Sequence, residues 1–355
     1  MEWFILLVPA LIAIVVATKY PKETVWWEFV LMFVVCLAAL LGAKFLILNG
    51  ITTDYELKTT YIGRVEHREA YSESYLATVT IGKTTTLQRR TRHHPPTWTV
   101  YGRDGSQQSV DEGTYQFLLR RWPGEPSKNG HTFTHHWNGS DDTAEYLTTR
   151  RSYENRLQAS YSVYNLPDVS EGDISTYGLQ PYPSSNGTTV PMILGGAGFD
   201  RATAEQQLHR LNARYGSTFN CQVWIVIFRN QSDRAAELQE ALWERGNRHD
   251  YVLCIGIDDQ DRVQWTRAFS WTPSEAIVNY GREIAAIGAP LDLPPVIQKL
   301  EEAVKGSWVA RDFDEFKAIH VAVPIWGLVI IALVTTLAGL GMMTWAVQNE
   351  HHDNP

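Results

Sequence analysis

The chain has 355 residues, of which 44% are hydrophobic and 20% charged, and a formal net charge of −8. That length holds two modest domains, or one domain plus membrane segments. The acidic balance excludes a broad electrostatic footprint for nucleic acid, and three cysteines, Cys36, Cys221 and Cys254, make no disulfide framework.

Apolar residues concentrate at the two ends. Trp3–Thr18 carries no charge and as a helix reaches about 24 Å, short of a ~30 Å hydrocarbon core. A cleaved signal peptide would want a basic region ahead of it, and Glu2 stands there instead. Val25–Leu48 is long enough to span, with Lys44 near its end, where a long side chain reaches the headgroups. Val321–Val347 is the clearest segment, with Trp326 and Trp345 near its ends as interfacial aromatics. Gly339 and Gly341 within it read as ordinary glycine tolerance, with close helix approach as the other reading. Three transmembrane helices are therefore expected: two in residues 1–48 with a short loop, and one at 321–347 before a polar tail, 348–355. Lys19 and Lys22 place the short loop inside and the large intervening region outside the cytoplasm. Lys58, Arg64, Lys305, Arg311 and Lys317 argue the reverse, but count for less on so long a loop. An integral membrane protein with an extracytoplasmic soluble region is the expectation.

Residues 49–165 read as a β-rich module. "YLATVTIG" at Tyr75–Gly82 alternates like a half-buried strand. "QRRTRHH" at Gln88–His94 is a local basic run, usually a solvated strand or loop. Arg103-Asp104-Gly105 predicts a turn, and Ser109 with Glu112 predicts a capping box. Residues 123–148 predict a long loop, and 166–200 a Pro/Gly/Ser-rich linker. In 201–320, a Thr203–Gln206 capping box opens a helix with face Leu208, Leu211 and Tyr215, closed by Gly216. "QVWIVIFR" and "YVLCIGI" predict strands covered on both faces, with a helix carrying Ala235, Leu238 and Leu242 between them. "RVQWTRAF" predicts a third strand. Thr272-Pro273-Ser274-Glu275 opens a helix lined by Ile277, Tyr280, Ile284 and Ile287, and Pro294-Pro295 another with Ile297, Leu300 and Val304. The order αβαββαα predicts a parallel crossover followed by an antiparallel hairpin, a small mixed sheet covered by helices.

"VWIVIF", a helix ending "ALWERG", and "DYVLCIGIDDQDRVQW" together resemble the core of the TPM domain. That family includes membrane-anchored and lumenal proteins associated with photosystem II repair and with bacterial envelopes. The resemblance covers residues 200–290 and implies a small α/β fold with an acidic turn. The family's glycine-rich continuation is replaced here by "TRAFSWTP". A second resemblance rests on "TYIGRVEHREAYSE", "SYENRLQASYSVYN" and "RAFSWT". These are similar to a group of uncharacterised membrane proteins of bacteria and large phages, which implies an integral architecture and no activity.

Candidate chemistry is sparse. Asp258, Asp259 and Asp261 predict a hairpin turn first, since Asp bonds nearby backbone N–H groups, and a calcium or other divalent-cation site second. His131 and His135 could share a face, but in extended chain they stand too far apart to chelate one metal directly. "MILGGAGFDRATAEQQL" lacks a glycine at Arg201 for a dinucleotide fingerprint and a Lys-Ser/Thr pair for a P-loop, so it reads as a hinge. Cys254 reads as a buried thiol, and no G-x-S-x-G occurs. The expectation is an α+β membrane protein presenting a binding or assembly module to membrane or envelope proteins, in contact with lipid and not nucleic acid, with no cofactor required. The alternatives are a divalent-cation-dependent phosphohydrolase using the acidic turn, and a structural viral or host-membrane component.

Overall fold

The computed structural model describes residues 11, 14, 15, 18, 26–81, 84–122, 124–160, 166–185, 187–196 and 201–350. Apart from Leu11, Ile14, Val15 and Thr18, the segment Trp3–Thr18 lies outside the described residues. The chain divides into two compact units. One comprises Met1–Asp54, Tyr153–Tyr164 and Phe313–Pro355; the other comprises Tyr55–Ser152 and Asn165–Asp312.

In the first unit, helix α1 (Trp26–Thr52) packs on the C-terminal helix, Ile325–Glu350. Both are apolar around their circumference, so packing rather than polarity selects the contact face. Met32, Cys36 and Leu40, spaced four apart, are buried on α1, and Ile331 and Met343 on its partner helix. The Cys36 thiol donates to the Thr335 carbonyl at 3.6 Å. A Cβ on Gly327 would stand 3.1 Å from Ile47, whereas around Gly341 there is open space. Close approach of the two helices falls at Gly327. Phe45, Leu46, Ile325 and Leu337 remain exposed. Among the described residues, these two helices are long and apolar enough to cross a membrane. A polar cluster lies at the end of α1: Asp54 accepts from the Tyr153 hydroxyl at 2.7 Å and from Asn155 Nδ2 at 2.9 Å. Asn155 Oδ1 accepts from Gln158 N at 3.2 Å, at the start of the helical turn Arg156–Ser160.

The second unit holds two sheets and a separate ribbon. β1 (Thr53–Arg68) leads into β2 (Tyr71–Ile81) and β3 (Thr84–His94), which form a two-stranded sheet of their own. β4 (Thr97–Gly102), β5 (Gln107–Val110), β6 (Ser127–Asn129) and β7 (Thr132–His136) then build the order β5-β4-β1-β7-β6, and β8 (Tyr146–Glu154) also pairs with β1. Helix α2 (Glu112–Arg121) lays Tyr115 and Leu118, with Trp122, on Ile62, Val65, Val100 and Leu147. Its cap is Asp111, whose carboxylate accepts from Thr114 N at 2.8 Å. Ser109, the expected cap, is instead paired with Thr99 in the β4–β5 ladder. The expected loop 123–148 contains β6 and β7. Its Gly/Asn/Thr composition predicts irregular chain, but two short strands need little apolar content when they extend an existing sheet.

Residues 166–200 contain α3 (Glu171–Tyr177) and β9 (Ile193–Gly195). Helix α4 (Ala202–Phe219), β10 (Gln222–Arg229), α5 (Arg234–Leu242), β11 (Asp250–Ile257), β12 (Val263–Ser270), α6 (Glu275–Tyr280) and α7 (Leu293–Ser307) follow. The second sheet has the order β12-β11-β10-β9. β10 is parallel to β9 and β11, and β11 is antiparallel to β12. β10 and β11 are buried along nearly their whole length, in one core with Leu208, Leu211 and Tyr215 of α4, Leu238 of α5 and Leu300 of α7. The Thr203–Gln206 box does not form: the residue before α4 is Arg201, without a side-chain cap. Gly216 does not close α4, which runs on to Phe219. A Cβ at Gly216 would stand 2.8 Å from the Thr59 carbonyl, so the glycine admits β1. Helix α6 ends at Tyr280, and Ile287 is exposed, while Ile277 and Ile284 are buried. The helical face predicted through Ile287 therefore stops early.

Candidate functional site

The acidic turn joins β11 to β12. Asp258 Oδ1 accepts from Gln260 N at 2.9 Å and Arg262 N at 2.8 Å, while its Oδ2 accepts from Gln264 Nε2 at 2.9 Å. Asp259 accepts from Asn230 Nδ2 at 2.6 Å, and Asp261 from Arg229 Nη2 at 2.6 Å. Asp261 has φ 58°, the left-handed conformation that Asp tolerates in turns. Each carboxylate thus has its own protein donor, and Asp258 is the residue that folds the turn. For a cation, these oxygens would first have to exchange those donors.

The two candidate histidines are separated. His131 lies in the turn between β6 and β7, its ring stacked on Tyr71 at 4.7 Å. His135 is buried in β7, edge-on to Trp122 at 5.6 Å. Four residues of extended chain span about 13 Å. No group of three or more His, Cys, Asp or Glu placed to hold a metal ion occurs among the described residues.

Sequence reasoning missed two buried ionisable clusters: the members of the first are far apart in the chain, and in the second Arg201 and Glu205 act on backbone groups of a strand too short to show in the sequence. Glu56 of β1 receives Arg248 through Nε at 3.1 Å and Nη2 at 2.8 Å, and His249 Nδ1 lies 2.8 Å away. Burial alone would raise this carboxyl, but the hydrogen bonds from His249 and Arg248 outweigh it and hold it down at about 2. Asp250, fully buried, accepts from Trp224 Nε1 at 3.0 Å, Tyr182 hydroxyl at 3.1 Å and Asn247 N at 2.9 Å. Here burial wins against three donors and lifts the carboxyl to about 7.

The second cluster lies along one face of α4. Glu205 accepts from the backbone N–H groups of Met192 and Ile193, and Arg201 Nη1 donates to the Ile193 and Gly195 carbonyls, both at 2.9 Å. These side chains satisfy backbone groups around β9, at the open end of the sheet. With His209 and Thr189–Pro191 they line a shallow depression of about 580 Å³. His209 stacks on Tyr146 at 5.4 Å, and burial lowers its pKa to about 4, so it is neutral at pH 7. The charged groups of the depression are spent on holding a strand.

The β2–β3 ribbon is different in kind. Its side chains are mostly exposed, against the half-buried strand that the alternation of Tyr75–Gly82 predicts. The alternation is present, but among the described residues neither strand joins another sheet. Residues opposite one another share a face. One face carries Tyr71, Glu73 and Tyr75 against His94, Arg92 and Arg90. There His94 stacks on Tyr71 at 4.4 Å, His94 Nε2 meets Glu73 at 3.1 Å, and the Arg92 guanidinium lies over Tyr75 at 5.2 Å. The other face carries Ser74, Leu76 and Thr78 against Thr91, Arg89 and Leu87. Its leucines are left outward.

No family model, curated protein or solved structure matches this chain. The mixed α/β architecture and the two long apolar helices therefore stand on the geometry alone.

Proposed function

We propose that this chain is an integral membrane protein presenting its second unit as a binding or assembly module for other membrane or envelope proteins, without catalysis. The observation that carries the reading is the pair formed by α1 and the C-terminal helix. At 27 and 26 residues they reach about 40 Å, beyond a ~30 Å hydrocarbon core. Their outward faces carry Phe45, Leu46, Ile325 and Leu337, and lipid is the solvent that accommodates such a surface without cost. Trp3–Thr18 is a third span in this reading. The Lys19 and Lys22 loop then puts the soluble unit on the extracytoplasmic side. The succession β10, α5, β11, acidic turn, β12 supports a TPM-like module, with the turn serving the hairpin.

Three measurements on the full chain test this. Carbonate washing of membranes should leave it in the pellet; release into the supernatant overturns the integral reading. A Ser127→Cys reporter in a cysteine-free background should react with an impermeant maleimide on intact cells; reaction only after lysis overturns the sidedness. Cross-linking in the membrane before purification should give a stoichiometric assembly. A lone monomer, or metal-dependent phosphoester hydrolysis lost in Asp258→Ala and Asp259→Ala, overturns the non-catalytic assembly role.

A further inference from the structure

We propose that the β2–β3 ribbon binds a lipid surface carrying anionic headgroups, through the face formed by Leu76, Leu87 and Arg89. This goes beyond the assembly role, and it holds whichever proteins the second unit binds.

The first support is that, among the described residues, the leucine face of the ribbon is left exposed. An isolated two-stranded hairpin is marginal in water and gains its stability from whatever covers a face. Leu76 is 64% exposed and Leu87 67%. Leu87 sits opposite Thr78, two residues from Leu76 on the same strand face, so the two leucines are diagonal neighbours. Arg89 is directly opposite Leu76.

The second support is charge. The described ribbon carries Arg89, Arg90 and Arg92 against one acid, Glu73, on a chain of net charge −8. Glu73 is on the opposite face, already matched by His94 at 3.1 Å and Arg92 at 3.9 Å. The face with the leucines has no acidic residue: Ser72, Ser74, Thr78 and Thr80 complete one strand, and Thr85, Thr91 and His93 the other. Two adjacent aliphatic side chains beside an unmatched guanidinium fit the boundary between acyl chains and phosphates. The leucines enter below the headgroups, and the Arg89 side chain extends along its stem to the phosphate oxygens. A nucleic acid would want stacking rings on that face, but Tyr71 and Tyr75 are on the other one, against His94 and Arg92. A second copy of the ribbon would bring arginines against arginines.

The test uses the full chain in nanodiscs of neutral phosphatidylcholine, mixed with separate vesicles of phosphatidylcholine with or without phosphatidylglycerol. Co-flotation is expected with the anionic vesicles alone, and raised salt should weaken it as the Debye length shortens. Arg89→Gln should lower the affinity about 5-fold, at about 1 kcal/mol for one basic side chain near an anionic surface. Leu76→Ser with Leu87→Ser should lower it by a salt-independent factor. All three positions are exposed, and an unchanged melting temperature establishes that each variant is folded. The proposal is overturned by absent flotation, by equal flotation with neutral vesicles, or by an Arg89 variant that binds like the parent. It is equally overturned if an oligonucleotide binds the ribbon and displaces the vesicles, or if the ribbon drives a dimer instead.

Discussion

Replacing Glu56 with Gln isolates the buried ion pair of the second unit. The carboxylate is 3% exposed and held at about 2, against an ordinary 4.5. A depression of that size corresponds to about 3 kcal/mol of folding stability, at 1.36 kcal/mol per pKa unit. Because the folded value is depressed, this stability is fully present above pH 4.5 and is lost as pH falls from 4.5 towards 2. E56Q leaves Arg248 and His249 facing a neutral amide, the situation in which breaking a buried pair is most damaging. For a unit of this size each kcal/mol moves the melting temperature by about 2–4 °C, so a drop of about 6–12 °C is expected at pH 7. Tryptophan fluorescence reports it, since Trp224 and Trp243 lie in the same core. The deficit relative to the parent should shrink as pH falls below 4.5. An unchanged melting temperature at pH 7, or a deficit undiminished at the lowest pH that still folds, would refute the reasoning.

Three further outcomes follow from single contacts. The folded pKa of His209 is depressed from 6.5 to about 4, so its contribution is present above pH 6.5 and lost as pH falls towards 4. His209→Phe keeps a ring on Tyr146 and should remove about 3 kcal/mol of that acid-side loss, read as a smaller fall in melting temperature between pH 7 and pH 4.5. Gly216→Ala should gain about 1 kcal/mol from helix propensity, but its Cβ would meet the Thr59 carbonyl at 2.8 Å. Overpacking against backbone costs about 1–3 kcal/mol, so denaturant titration should show net destabilisation. Asp258→Ala removes acceptors from Gln260 N and Arg262 N and should cost about 1–2 kcal/mol by the same titration. Calcium should leave the parent's melting temperature unmoved; a calcium-dependent rise absent from Asp258→Ala would make the turn a cation site.

The elements legible in the sequence are those whose signal is local. Residues 222–229 and 250–257 are apolar runs bounded by turn residues, so their strands were readable before their partners were known. The same holds for α7, announced by Pro294-Pro295 and the spacing of Ile297, Leu300 and Val304. α1 and the C-terminal helix follow from composition, since a long apolar run satisfies its own backbone only as a helix. The acidic turn was readable as a turn because Asp258 bonds within six residues of itself.

Tertiary structure decided whatever depended on distant groups. Glu56 and Arg248 are separated by 192 positions, and no spacing rule joins a β1 carboxylate to the turn before β11. β9 is three residues long behind Pro191, too short for a period to show, and exists because β10 offers it an edge and α4 supplies Arg201 and Glu205 around it. Caps expected at Ser109 and Thr203 lost to a ladder and to an uncapped start. The alternation at Tyr75–Gly82 correctly gives a strand, but alternation records only which side chains share a face. Whether that face meets a core depends on a second sheet or helix arriving there, and on β2–β3 none among the described residues does.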